Sequence, residues 1–172
     1  KPEHYDPLLE ILRERGQRHE SAYLDYLRSE GLEITTIPGS EVSDKSVQKT
    51  VDAMQAGHPV IAQAALRDGR WSGRADVLLR VEANSALGDW SYEVVDTKLS
   101  RETKGGTIIQ LCLYADLLSR IQGRDPDFIY VVAPWQDYVP QRFRYADYAA
   151  YFRSVKSAAE ADLAAEQLKE TY

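Results

Sequence analysis

Between residues 6 and 30, Leu8, Leu12, His19, Tyr23 and Leu27 recur near one stripe, at the spacings of four and seven that a half-buried helix requires. Gly31 follows as the residue that closes such a helix. Residues 32–37 read as a short strand ended by Pro38-Gly39, and Ser43 caps a second helix running to about Ala56, with Gly57 behind it. Residues 60–66 are an apolar strand, and Asp68-Gly69 is a hairpin turn signal. Residues 70–82 form the next strand, bent at Gly73, and residues 83–89 turn the chain into a third strand over 90–99. A polar loop over 100–106 ends in Gly-Gly and leads into an apolar helix over 107–121, closed by Gly123. The continuous apolar run 128–133 is short enough for a buried central strand, with 138–145 as its neighbour. The alanine-rich stretch 147–172 is a final helix, with Tyr148, Tyr151, Phe152, Val155 and Leu163 expected on its inner side. The order α-β-α-β-β-β-α-β-β-α predicts one α/β domain over residues 1–172, a mixed β-sheet flanked by α-helices.

Composition narrows the function classes. A chain of 172 residues suits one domain with a real core, and 44% hydrophobic with 28% charged residues suits a soluble globular protein. The single cysteine, Cys112, excludes an internal disulfide framework and any four-cysteine metal or iron–sulfur site within the chain; it reads as a small buried hydrophobe. A net charge of −6 leaves no global basic footprint for duplex DNA, so contacts to nucleic acid must be local. No apolar run reaches the ~18 residues of a membrane span and the polar start is no signal peptide, so the expectation is a cytoplasmic protein without a membrane partner. The chain starts at Lys1 without a methionine, as expected of a piece excised from a longer protein.

The chemistry concentrates in residues 93–98, Glu-Val-Val-Asp-Thr-Lys. Side chains alternate along a strand, so Asp96 and Lys98 point the same way with Val94 behind them, and Glu93 points to the opposite face. Neither charge is cheap to desolvate for packing alone. Gly-Arg-Ala-Asp at 73–76 places a second acid, Asp76, in the preceding strand, and Gln110 and Tyr114 sit one helical turn apart further on. Magnesium wants oxygen ligands, a few of them carboxylates. Asp76, Asp96 and the backbone carbonyl of Thr97 can supply them, and Lys98 can orient an attacking water and neutralise developing charge. Set against this, Asp96 and Lys98 taken alone form an ion pair at a sheet rim, and Gln110 and Tyr114 can simply bond each other.

Gly-Arg-Ala-Asp, then Asp-Thr-Lys, then Gly-Gly-Thr-Ile-Ile-Gln-Leu-Cys-Leu-Tyr at 105–114 resemble the RecB-like branch of the PD-(D/E)xK nucleases. Nearly the whole chain is similar to the N-terminal domain of bacterial RecB-like nucleases, in which an RNase H-like exonuclease domain often follows. The resemblance implies a restriction-endonuclease-like fold and a metal-dependent deoxyribonuclease, an exonuclease on single-stranded DNA ends, with magnesium or manganese as cofactor and a fused or associated RNase H-like or helicase domain as partner. By position it makes Asp76 and Asp96 metal-binding acids, Lys98 the catalytic lysine and His19 a further metal ligand, with Gln110 and Tyr114 on the substrate side. Ala75 precedes Asp76 where the superfamily name has proline, as is common in RecB-like members. Relatives with an iron–sulfur cluster use four cysteines; with Cys112 alone this chain builds none.

Several residues carry competing readings. Without the resemblance, His19 is a satisfied core histidine on the apolar stripe. Glu20, about 100° around the helix from it, is expected to face solvent or support the site from behind. His4 and His58 read as surface or turn residues. Arg101 and Lys104, beside Gly105-Gly106, flank the proposed site and can hold a phosphate at a helix start, or form an ordinary solvated face. Trp71, Trp90 and Trp135 read as core or edge packing at strand ends. The rival functions are a non-catalytic nucleic-acid-binding module with a nuclease fold, and an RNA-directed nuclease.

Overall fold

The computed structural model describes residues 6–97, 105–135 and 137–171. The first helix, α1 (Pro7–Ser29), starts where Asp6 accepts from the Leu8 N–H and Pro7 takes the first helical position. It ends in a Schellman turn, the Gly31 N–H donating to Arg28 O and the Leu32 N–H to Leu27 O, with Gly31 at φ +87°. The chain continues through β1 (Ile34–Thr36), α2 (Asp44–Gln55), β2 (Val60–Asp68), β3 (Trp71–Val81), β4 (Ser91–Thr97), α3 (Gly105–Gln122), β5 (Phe128–Val132), β6 (Gln141–Arg144) and α4 (Tyr145–Thr171). The order of elements is the one expected from the pattern.

The six strands form one open sheet in chain order, β1 to β6. β2, β3 and β4 are an antiparallel meander, while β1 runs parallel to β2 and β5 parallel to β4. A parallel neighbour needs a long crossover, and α3 supplies the one between β4 and β5. The fold is therefore α/β with a mixed sheet covered on both faces. On one face, Tyr23 and Leu27 of α1 pack on Val60, Val77, Val95 and Val132. On the other, α2, α3 and α4 bury Met54, Leu111, Leu118 and Phe152 against Leu66, Leu78, Val94 and Ile129.

Both long helices outrun the sheet. Leu8 and Leu12, expected on the buried stripe, are exposed, because α1 reaches core only from His19 onward. Tyr151 and Leu163 of α4 are likewise exposed rather than inward, since its buried residues (Tyr145, Ala149 and Phe152) all lie in the first eight positions of a 27-residue helix. The last strand is shorter than expected, because Asp137 and Tyr138 adopt positive φ and break the extension before Gln141. Trp135 is exposed in the loop after β5, whereas Trp71 and Trp90 pack at strand starts. His58 is half-buried, its Nδ1 bonded to Thr35 Oγ1 at 2.7 Å.

Candidate active site

β3 and β4 pair from Val81↔Ser91 to Val77↔Val95. One step further along that register stand Asp76 and Asp96, opposite each other. The pairing stops there: Asp96 and Thr97 continue in register with Val131 and Val132 of β5, while residues 71–75 of β3 continue with β2. The two strands part at the two acids. The Thr97 N–H finds a side chain instead of a ladder partner, donating to Asp76 Oδ2 at 2.9 Å, and the Thr97 hydroxyl donates to the same oxygen at 3.0 Å. Asp96 itself is buried, and Asp76 and Thr97 are half-buried.

The side-chain alternation also breaks at this point. Ala75 and Leu78, three residues apart, both face the core beneath α3, while Val77 faces α1. Across the pair, Ile61 and Ala64 of β2 share the α3-side core with Gln63 between them, and Gln63 has φ +55°. Asp76 thus sits where the strand changes phase, within electrostatic reach of helices on both faces. Its charge acts on Tyr114 of α3 and on Glu20 of α1.

Tyr114 is buried, and Gln110 Nε2 donates to its hydroxyl at 2.8 Å. Burial first, then the charges of Asp76 and Asp96, push the Tyr114 phenol up, against the bond from Gln110, which lowers it. Gly73 makes room for the ring: a Cβ there would lie 2.5 Å from Tyr114 Cε1. The Gln110–Tyr114 bond and the placement at the acids coexist, so the two sequence readings of this pair do not exclude each other.

His19 is buried, and its Nε2–H donates to Val132 O at 2.9 Å. A carbonyl can only accept, so Nε2 carries a proton; in the neutral imidazole Nδ1 is then the acceptor nitrogen. Val132 is the register partner of Thr97, which puts this imidazole over the ends of β5 and β4. The bond to a backbone carbonyl is the support that metal-binding histidines generally have.

Of the two expectations for Glu20, the solvent-facing one is not met. The residue is half-buried, and Gln63 Nε2 donates to its Oε1 at 2.5 Å. Burial first and the Asp76 charge second push its carboxyl up, while the Gln63 bond lowers it. Neither Glu20 nor Gln63 gave a sequence signal, because the contact joins residues 43 apart through a backbone turn that only the fold imposes. Glu93 lies on the face away from Asp96 as expected, accepting from the Phe128 N–H and the Tyr130 hydroxyl, each at 2.8 Å. Arg74 is spent on structure, donating to the carbonyls of Ile37, Pro38, Glu41 and Gln63. Lys98, Arg101, Lys104 and His4 lie outside the described residues.

Among the described residues no three His, Cys, Asp or Glu side chains stand close enough to hold an ion by themselves. Magnesium does not demand that: it keeps several waters and is usually bound through one or two carboxylates. Carboxylate and carbonyl oxygens are the donor types that magnesium and manganese take, while an imidazole is softer than magnesium prefers. No protein-family model matches the chain, and no curated protein matches its sequence. No helix among the described residues is long and apolar enough to cross a membrane.

Proposed function

We propose that this protein is a metal-dependent nuclease with a restriction-endonuclease-like fold, hydrolysing DNA phosphodiester bonds as an exonuclease on single-stranded ends. The observation that carries the reading is the pair Asp76 and Asp96, set opposite each other where β3 and β4 part. Like charges so placed at half-buried and buried positions are costly unless a cation joins them.

In this reading Asp76 and Asp96 bind a magnesium or manganese ion, with the Thr97 carbonyl and His19 Nδ1 as further ligands. A divalent ion supplies Lewis-acid polarisation of the phosphoryl group and acidifies water. Thr97 holds Asp76 Oδ2 through two hydrogen bonds, and the Asp76 carboxylate so fixed would be one of the groups that hold the ion. Lys98, which follows Thr97 in the sequence, would orient the attacking water and neutralise charge on the phosphorus oxygens. The Tyr114 hydroxyl, kept protonated at neutral pH, remains a hydrogen-bond donor near the two carboxylates. Gln110 orients that hydroxyl and lines the substrate side, with Arg101 and Lys104 contributing phosphate contacts. An RNase H-like or helicase domain, fused or associated, would deliver the strand.

The test is cleavage of end-labelled single- and double-stranded DNA and RNA in magnesium, in manganese and in chelator, for wild type, Asp96→Ala and Lys98→Ala. Wild type should release products from single-stranded DNA with either metal and none in chelator. Asp96→Ala should lose metal binding and turnover together. Lys98→Ala should keep metal binding while turnover falls by about two orders of magnitude, the scale of losing a positioned catalytic group. Wild-type cleavage by Lys98→Ala would sink the assignment of the Asp-Thr-Lys strand.

A further inference from the structure

α3 and α4 do not close completely against each other. Beside Trp71, at the start of β3, they leave a pocket of about 280 Å³, lined by Trp71, Ile109, Leu113, Phe152, Val155 and Ala159. The wall is apolar even where polar residues contribute to it. Gln110 and Lys156 line it with their methylene stems, while the Gln110 amide donates to the Tyr114 hydroxyl at 2.8 Å and Lys156 Nζ to Asp116 Oδ2 at 2.9 Å. The Trp71 indole is held in place: its Nε1 donates to Glu160 Oε1 at 2.8 Å, and Lys156 Nζ lies 5.6 Å from the ring centroid. Gly106, in the first turn of α3, also borders the pocket, and a Cβ there would meet no atom within 4 Å. Part of the space is open because residue 106 has no side chain.

A pocket of this size and lining takes a small, flat, apolar group and has no hydrogen-bond code with which to tell one such group from another. Its position narrows the occupant. Trp71, Gly73 and Ala75 alternate onto the α3 side of β3, and Asp76 follows. Gly73 lies under the Tyr114 ring, and Tyr114 feels the charges of Asp76 and Asp96. Gln110 lines the pocket and bonds that same tyrosine. Pocket and acids are therefore the two ends of one continuous surface, about 17 Å apart along five residues of β3. A polymer with a phosphate at the acids reaches the pocket with a group further along itself. On a single-stranded nucleic acid that group is an unpaired base. Bases pack on aromatic side chains whatever their identity, because every base has a π-face, which matches a wall without polar groups.

We propose that the pocket between α3 and α4 holds one unpaired base of a single-stranded DNA substrate against Trp71, without regard to base identity, on a nucleotide beyond the one being cleaved. The proposal rests on the nuclease reading above and gives Trp71 a part in binding the strand. Two substitutions fill the pocket from opposite helices. Gly106→Leu builds from α3 into space that a Cβ enters without contact, and leucine is a better helix former than glycine. Ala159→Leu builds from α4 and lies on a different element from the two acids. Both variants should unfold at or above the wild-type thermal midpoint and lose the site for the base.

The experiment is fluorescence anisotropy in chelator and low salt, with the whole chain as wild type, Gly106→Leu and Ala159→Leu. The probes are labelled oligothymidylate, oligoadenylate and a fully abasic strand of equal length, which share one phosphate backbone. Wild type should bind both base-bearing strands about five- to a hundredfold more tightly than the abasic one, the worth of one base on an aromatic ring. Each filled variant should bind all three strands alike, at the abasic level. Equal wild-type affinity for base-bearing and abasic strands would overturn the proposal, as would a base preference that survives in either folded variant. A wild type that binds one of the two base-bearing strands no better than the abasic one would also overturn it, since the pocket would then be reading base identity. Cleavage of the same strands in manganese separates the two levels. Cleavage without base-dependent binding removes the pocket and leaves the nuclease; base-dependent binding without cleavage does the reverse. A wild type that neither binds nor cleaves loses both.

Discussion

Asp76 serves two purposes with two oxygens. Oδ2 accepts from both the backbone and the side chain of Thr97, and the carboxylate as a whole carries charge into the site. The purposes separate by substitution. Asp76→Ala should leave the Thr97 N–H without an acceptor and lower stability in chelator by about 1–3 kcal/mol. Asp76→Asn keeps an acceptor oxygen and should lose far less stability, while both variants lose manganese binding. Denaturant unfolding paired with metal titration checks this; equal stability loss in both variants would show that charge, not the hydrogen bonds, holds this corner of the fold. Cys112, 1% exposed on α3, offers a second test at this scale. Burial pushes its thiol up to about 11. Being raised, the folded value favours the neutral thiol, so its share of stability is whole below about 9 and is lost as pH rises through about 11. At pH 8 iodoacetamide should leave Cys112 unmodified in the native protein and alkylate it quickly in denaturant; rapid native labelling would mean the α3 face opens readily.

At the scale of elements, the contact of β3 with α3 sets the site. The Gly73 backbone lies so close to the Tyr114 ring that a Cβ would come within 2.5 Å of Cε1. Gly73→Ala should push the ring aside, lengthen the Gln110–Tyr114 bond and cost about 1–3 kcal/mol from overpacking. Cleavage should fall in the same variant, because the phenol leaves the two acids. A thermal midpoint within a degree of wild type would mean the ring relocates freely and is not fixed by this contact. The glycine of Gly-Arg-Ala-Asp is thus a packing requirement of the motif, legible as a motif in the sequence but explained only by the helix that lands on it. Gln122 is another element-scale feature: its side chain accepts from the Tyr92 N–H at 2.8 Å and donates to Tyr92 O at 3.2 Å. It replaces strand pairing where β5 has not yet begun, which no periodicity in α3 announces.

For the whole molecule, Asp76 of β3 and Asp96 of β4 stand opposite each other where the two strands part. A cation that binds only the folded chain stabilises it by mass action. Manganese at ~100 times its dissociation constant should therefore raise unfolding free energy by about 2.7 kcal/mol in wild type and by almost nothing in Asp96→Asn. Thermal scans across a manganese series check this, with calcium and sodium chloride at matched ionic strength separating a specific site from screening. An equal rise in both proteins would place the effect elsewhere on this acidic chain.

The sequence alone determined the order of elements, because period and turn chemistry are local: Gly31 and Gly57 end helices, Asp68-Gly69 turns the hairpin, and apolar runs mark β2, β4 and β5. It also singled out Asp76, Asp96, Gln110 and Tyr114, since acids at the end of an apolar strand are conspicuous wherever that strand lies. Tertiary structure decided where the patterns stop counting. Leu8, Leu12, Tyr151 and Leu163 follow a helical stripe, yet they are exposed, because amphipathic spacing says which face is apolar and not how far the sheet beneath it reaches. It alone placed Glu20 beside Gln63 and turned Gln63 out of phase opposite Asp76. A left-handed residue in a strand has no local signature: the cost is local, but its partners, Arg74 of β3 and Glu20 of α1, come from elements distant in the sequence.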